Sequence, residues 1–513
     1  MALSRRALHR AALSLAALSV SPPLLAQQNE AVLRVIAPWE YSSNDPAEVG
    51  YILTRIGVAE TLVQVAPDGS LSGGVAERWS IDADKLTWRF ALRAGALFQD
   101  GAPVTAQAVA DSLRRSFTGD SLSAVPLDSV GVDGAEVVIR TKAPFSVLPA
   151  FLVDYASIIL APSAYGPTGK VEKIVATGPY RITSIDGSTT IELERFEGYV
   201  GAKPPIRRAR YAAVPNGETR ANIAIAGDAD LVFTLAPATL QRVNSAGQMK
   251  VESLTIPRIR PIAFNSGLPQ FSDVRVRRAI SMAIDRAGVA ASILRHPASA
   301  ATQLIPPVLA EWRNPALPPL THDPAAARKL LDEAGWTVGP DGVRAKNGVR
   351  LAAKLMTIAN RPELPVMAAA IQAQLKQVGM ELTIEAGPGA NIPAAVKDGS
   401  MQMSLFTRTY VTVPDVIATI IPDYTRERAN WGAVNWPGRD RVKTLADAYV
   451  ASFDPARKAT IRAEITTIIH DEAPVIPVAW FEHTVAVSNR LANVIIDPFE
   501  TRYFLDRASW KGL

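Results

Sequence analysis

The hydrophobic positions of this chain change period along its length, and the change divides it in two. From Trp39 to Arg93 short β-rich segments alternate with turn signals at Pro67-Asp68-Gly69 and Asp82 to Lys85. Leu86 to Arg93 alternates apolar and polar residues as a half-buried strand does. Thr105 to Phe117 predicts a helix capped by Thr105, with Val109 and Leu113 one turn apart, and strands follow around Glu136 to Arg140 and Thr189 to Arg195. In the second half, Ser272 or Asp273 caps a helix that places Val276, Ile280, Ala283 and Ile284 on one face. Arg275, Arg277 and Arg278 should mostly point outward. Asp323-Pro324 opens a further helix reaching Gly335. Leu351 to Ile358 (strand), Pro365 to Val378 (helix, stopped by Gly379) and Met380 to Glu385 (strand) form a β-α-β unit, which implies a parallel sheet. A helix from Pro455 to about His470 precedes a final β-like run from Val475 to Ser488.

Charge and composition narrow the function. Residues 1–26 read as a cleaved signal peptide: Arg5, Arg6 and Arg10, an apolar run from Ala11 to Val20, then Pro22-Pro23 before Leu24-Leu25-Ala26. That run is too short to span a bilayer, and the mature chain is expected to begin near Gln27. Ser4-Arg5-Arg6-Ala7-Leu8 has a faint twin-arginine character, so the general secretory and twin-arginine routes both stay open; each ends outside the cytoplasm. The three leader arginines carry most of the net charge of +5, which leaves a near-neutral mature chain without a broad phosphate-binding surface. With 513 residues, 48% hydrophobic, the chain is long enough for two or three domains. It has no cysteine, which excludes disulfides, thiolate metal sites, iron–sulfur clusters, a cysteine nucleophile and a lipoprotein anchor. No apolar run reaches spanning length; even Ala150 to Ala161 contains Asp154. An exported, soluble, periplasmic product is expected.

Catalytic constellations are missing. There is no G-x-S-x-G elbow, H-E-x-x-H, Walker loop or G-x-G-x-x-G, and Gly166-Pro167-Thr168-Gly169-Lys170 lacks phosphate-loop spacing. His296, His322, His470 and His483 lie far apart in sequence. No catalytic residue, cofactor or bound metal is expected. An exported hydrolase without a local motif is the alternative.

Glu60-Thr61-Leu62-Val63, Pro67-Asp68-Gly69, Val75-Ala76-Glu77-Arg78-Trp79, Leu86 to Arg93, Phe98-Gln99-Asp100-Gly101 and Val104-Thr105-Ala106 run in order along the first part of the chain. Thr177-Gly178-Pro179-Tyr180, Gly227 to Leu231, Val274 to Ile280, Asp323 to Trp336 and Asn493 to Leu505 continue the series. Together they resemble the signature of the peptide/nickel family of extracellular solute-binding proteins, family 5, the receptors of ABC importers. The resemblance covers essentially the whole mature chain. It implies a two-lobed α/β fold of the periplasmic-binding-protein type (class II, cluster C-like), with the ligand between the lobes and closure by hinge motion. Lobe I is placed at 27–262, with an inserted subdomain at about 57–165, lobe II at 263–477, and a return to lobe I at 478–513. The expected partners are a small-molecule ligand, either a peptide or a metal chelate, and the permease at the inner membrane; the receptor is expected to be a monomer that binds no nucleic acid.

Met401 to Tyr410 reads as a strand with Gln402, Ser404, Phe406, Arg408 and Tyr410 on one face and Thr407 and Thr409 on the other. Arg408 and Tyr410 would lie at the carboxyl end, where a guanidinium grips a carboxylate and a ring stacks beside it. The resemblance puts Tyr410 at a tryptophan position of peptide receptors and Val413 at that of an amine-binding aspartate, for which Asp415 is a substitute. Arg408-Thr409-Tyr410 and Asp497 to Tyr503 are instead similar to the nickel and metal-chelate branch, where arginines hold the carboxylates of a chelator. Ile158 falls where that branch has a second arginine, and Arg426 or Arg428 would supply charge. Asn430 and Trp431 complete the candidate ligand set from the second lobe, and Trp39 and Tyr41, after the first strand, from the first.

Overall fold

The computed structural model describes residues 31–410 and 413–512. The leader expected over residues 1–26 lies outside them. The chain folds as two α/β lobes that share one eleven-stranded sheet. Two long antiparallel strands, Met249–Phe264 and Val475–Ser488, run through its centre. On one side follow Leu231–Phe233, Val32–Ala37, Arg208–Ala213, Thr190–Arg195 and Tyr180–Asp186; on the other, Met403–Leu405, Ala352–Ile358 and Glu381–Gly387.

The direction of these strands decides where a ligand can sit. Val32–Ala37 is parallel to both of its neighbours, and Leu231–Phe233 meets Val485 to Val487 antiparallel. Ala352–Ile358 is likewise parallel to both neighbours, and Met403–Leu405 meets Ile262 to Phe264 antiparallel. The parallel strands of both lobes therefore point their carboxyl ends toward the middle of the long central pair. That middle is irregular: the register shifts between Ile256 and Ile259 and between Arg260 and Pro261. Pro257, Pro261 and, opposite, Pro477 cannot donate ladder hydrogen bonds, so the strands bulge there and Arg258 leaves the regular pleat.

Sequence periodicity located many of the elements. Thr105 accepts from the Ala108 amide to cap helix Ala106–Ser116, whose Val109 and Leu113 are buried. This helix packs on a separate four-stranded sheet formed by Ala76–Ile81, Thr87–Leu92, Glu136–Thr141 and Leu127–Asp133. The β-α-β unit forms as Ala352–Ile358, Glu363–Lys376 and Glu381–Gly387. At Gly178 a Cβ would meet the Gly57 and Val58 carbonyls at 2.4 and 2.5 Å. Only glycine lets this segment press against the loop that leads to Ala59 and Glu60.

Two readings are corrected. Helix Val274–Ala283 forms on its Asp273 cap, but Arg277 points inward, donating to the carbonyls of Glu472 and Phe271. Residues 401–410 split into Met403–Leu405 and Arg408–Thr409, and their alternation does not separate a buried face from an exposed one. Met401, Met403, Ser404, Leu405, Phe406 and Tyr410 are all buried, because elements cover both faces of a central sheet.

Candidate functional site

A cavity of about 220 Å³ opens where the carboxyl ends of the two sets of strands meet. Arg55 comes from the last turn of helix Pro46–Arg55, which Asp45 caps and Pro46 starts. Its guanidinium lies 4.2 Å over the Trp39 ring, and Nε donates to the Glu500 carbonyl at 2.7 Å. Its Nη1 is buried and makes no hydrogen bond among the described residues. Arg258 enters from the central bulge, donating through Nη2 to Glu500 Oε2 at 2.7 Å and through Nε to Thr409 Oγ1 at 2.9 Å. Arg361 comes from the turn after Ala352–Ile358 and lines the cavity from the second lobe.

Glu500 arrives from the far end of the chain. Asp497 gathers the amides of Phe499, Thr501 and Arg502 into a tight turn, in which Glu500 takes a positive φ of 55°. Such a backbone persists only when its surroundings over-determine it. Burial alone would raise the Glu500 carboxyl; Arg258, then His483, Arg55 and Arg361, pull it down to about 2. His483 Nδ1 lies 3.5 Å from Glu500 Oε1, and burial pushes this imidazole down to about 4, with Arg55 and Arg258 acting in the same direction.

The other charged lining groups are engaged elsewhere. Glu60 receives Arg93 and the Tyr199 hydroxyl, and Arg502 donates to Gln64 and Asp506. Arg55, Arg258 and Arg361 thus surround a single carboxylate, and the Arg361 guanidinium has no hydrogen bond or ion pair among the described residues. Such a cavity has cationic capacity to spare, which is chemistry suited to an anion. Among the described residues no group of three or more His, Asp or Glu side chains is placed to hold a metal ion.

Trp39 lines this cavity; the other sequence-derived candidates do not. Tyr41 is buried and donates its hydroxyl to Asn44 Oδ1. Arg408 turns the other way and grips Asp423 through two bonds, Nε–Oδ2 at 2.5 Å and Nη2–Oδ1 at 3.0 Å. Burial works against the Arg408 charge, but the contacting Asp423 carboxylate more than offsets it. Tyr410 is 1% exposed. It is Thr409, on the opposite face of this segment, that reaches the cavity. Trp431 packs on Phe406 with ring centroids 5.4 Å apart, and Asn430 is exposed in a surface hollow beside Arg428. Asp415 accepts from Trp312 and Tyr449, and Ile158 is buried.

Sequence reasoning passed over Arg55, Arg258, Arg361 and Glu500. Arg361 had a usable signal: it follows directly on a predicted parallel strand, the edge at which open α/β sheets bind ligands. Glu500 had only its place within Asp497 to Tyr503.

Residues 70–430 match the family described as bacterial extracellular solute-binding proteins, family 5 Middle. The nickel-binding periplasmic protein of Escherichia coli (strain K12) is 26% identical over 92% of this chain and 94% of its own. The glutathione-binding protein GsiB of Salmonella typhimurium is 27% identical over 98% of each. Among solved structures, NikA from Brucella suis in complex with Fe(III)-EDTA superposes with a TM-score of 0.85 at 24% identity, covering 94% of this chain and 100% of that one. The oligopeptide-binding protein AppA from Bacillus subtilis, in complex with a nonapeptide, gives 0.75 at 17% identity, covering 94% and 99%.

Proposed function

Because the chain belongs to family 5 of the bacterial extracellular solute-binding proteins, whose members serve ABC importers, we propose that it is a monomeric periplasmic receptor that captures a small carboxylate-bearing solute and presents it to an inner-membrane permease. We divide it into lobe I (27–262 and 478–513) and lobe II (263–477). The observation that carries the ligand class is the cluster of Arg55, Arg258 and Arg361 around one carboxylate, Glu500. A ligand carboxylate supplies the missing negative charge, and Trp39 and Tyr51 give its carbon skeleton an apolar wall. Glu60 and Glu500 are both already paired, so the cavity offers little to a free ammonium group. A chelator-held metal or an amine-blocked peptide therefore suits it better than an ordinary peptide, and any metal is cargo inside its chelator. Of the sequence-derived set, Trp39 contacts the ligand in this reading, while Arg408 and Tyr410 fix the segment that presents Thr409.

Mass spectrometry of the small molecules released by denaturing the protein purified from its native host, with parallel metal analysis, tests this reading. The expected result is a solute with at least one carboxylate; a purely cationic or neutral solute overturns it. Arg361→Ala should weaken binding of the identified solute by about 1.5–3 kcal/mol, the scale of a lost charge-assisted bond, as read by calorimetry.

A further inference from the structure

Arg361 differs from the other cations of the cavity in origin and in state. Arg55 belongs to the first lobe and Arg258 to the central strand, and both are bonded to Glu500. Arg361 alone comes from the second lobe, at the carboxyl end of Ala352–Ile358, and it alone lacks a hydrogen bond or ion pair for its guanidinium among the described residues. Arg260, 5% exposed at its side chain, already uses Glu363, the acidic neighbour nearest to Arg361 in sequence. Arg361 bears electrostatically on Arg258, Arg260 and Glu500. Hinge closure, as the proposed function requires it, would carry its positive charge toward Arg55, Arg258 and Glu500, where two cations outweigh the one carboxylate that Arg258 already engages. In the empty receptor that approach is repulsive, and the low dielectric of a closing cavity strengthens the repulsion.

We propose that Arg361 makes closure conditional on a polyanion: one ligand carboxylate meets the Arg55–Arg258 side, and a second, on the same solute, meets Arg361 and removes the repulsion that holds the lobes apart. Selection for a solute with two or more negative charges then takes place at closure as well as at capture. A ligand shifts a conformational equilibrium only through contacts that differ between the two states, and the Arg361 contact is such a difference. This inference rests on the reading of the cavity as a carboxylate site.

The test reads lobe separation without needing the natural solute. The chain has no cysteine, so Val132→Cys in the first lobe and Val338→Cys in the second, both exposed at 38% and 59%, accept a unique pair of spin labels. In ligand-free protein, Arg361→Gln should raise the closed-to-open ratio about tenfold, the effect of removing one unit charge. Arg361→Lys keeps the charge and should match the parent. Sulfate should close the parent at a lower ionic strength than chloride does, and Arg361→Gln should not distinguish the two anions. A distance distribution that Arg361→Gln leaves unchanged overturns the proposal, as does closure of Arg361→Lys to the same extent as Arg361→Gln. The carboxylate reading fails separately, on the identity of the solute released from the native protein.

Discussion

Glu500 concentrates the chemistry of the cavity in one residue. Burial opposes its charge, three arginines support it, and burial, joined by Arg55 and Arg258, keeps the neighbouring His483 neutral although the Glu500 carboxylate favours its protonated form. The sign of the resulting pH dependence follows. His483 sits at about 4 in the fold against an ordinary 6.5. Below pH 6.5 the unfolded chain takes up a proton that the folded chain refuses, so the His483 contribution to stability falls by about 3 kcal/mol as pH drops from about 6.5 to about 4, against the opposite contribution of Asp154 and Asp423, whose carboxyls burial raises to about 7 and about 6. Glu500 acts lower: its contribution is complete above its ordinary 4.5 and is lost as pH falls toward about 2. His483→Gln should therefore raise the denaturation-derived stability at pH 4 relative to that at pH 6.5 by about 3 kcal/mol compared with the parent, while leaving the Glu500 decline below 4.5. An unchanged slope in the upper window would remove His483 as its source. None of this was legible in the sequence, because Arg55 and Glu500 are 445 positions apart and only the turn built by Asp497 brings them together. Trp39 was legible because it needed only the rule that ligands gather at the carboxyl ends of parallel strands.

At the scale of elements, period and capping did well where one face is wet and poorly where neither is. Asp273, Asp323 and Asp454 each accept an amide at the start of their helices, as expected of aspartate at that position. The β-α-β unit was readable because a buried parallel strand, an amphipathic helix and a glycine stop come in sequence. Alternation in residues 401–410 could not tell which face meets the cavity, since that depends on pairing with Met249–Phe264. Arg277 shows how a triplet of like residues misleads. Arg275 and Arg278 are exposed, but Arg277 stands seven residues before Ile284 at the edge of the apolar stripe, where a neighbouring helix, Pro455–Glu472, ends against it and leaves carbonyls without amide partners. The guanidinium donates to the Glu472 carbonyl twice and to the Phe271 and Ser272 carbonyls once each, tying the start of its own helix to the end of the other. Burial depresses the Arg277 charge to about 10, still ionised at neutral pH. Arg277→Ala should cost about 2–4 kcal/mol of stability in chemical denaturation, because it strands buried carbonyls and deletes charge-assisted bonds. Arg278→Ala, on the exposed side of the same turn, should cost well under 1 kcal/mol by the same measurement.

For the molecule as a whole, a receptor that opens and closes must bend without coming apart, and the sheet shows how both are met. The two lobes are not separate cores: Val35, Ile259 and Leu355 belong to one continuous buried cluster that crosses the central strands. The central pair bonds along nearly its full length and is interrupted only at its two register shifts, next to Pro257 and Pro261. Bending at those bulges sacrifices few ladder bonds, since the prolines donate none. Unfolding one lobe, in contrast, would strip the central strands and expose apolar surface on the other. The chain should therefore unfold in one cooperative transition despite its two-lobed form. A solute that binds only the folded state should move that whole transition, by about 2.7 kcal/mol when its free concentration is a hundredfold above Kd. Differential scanning calorimetry with and without the identified solute checks both statements at once. Two resolved peaks, of which the solute moves only one, would show that the lobes unfold independently and that the shared sheet does not couple them.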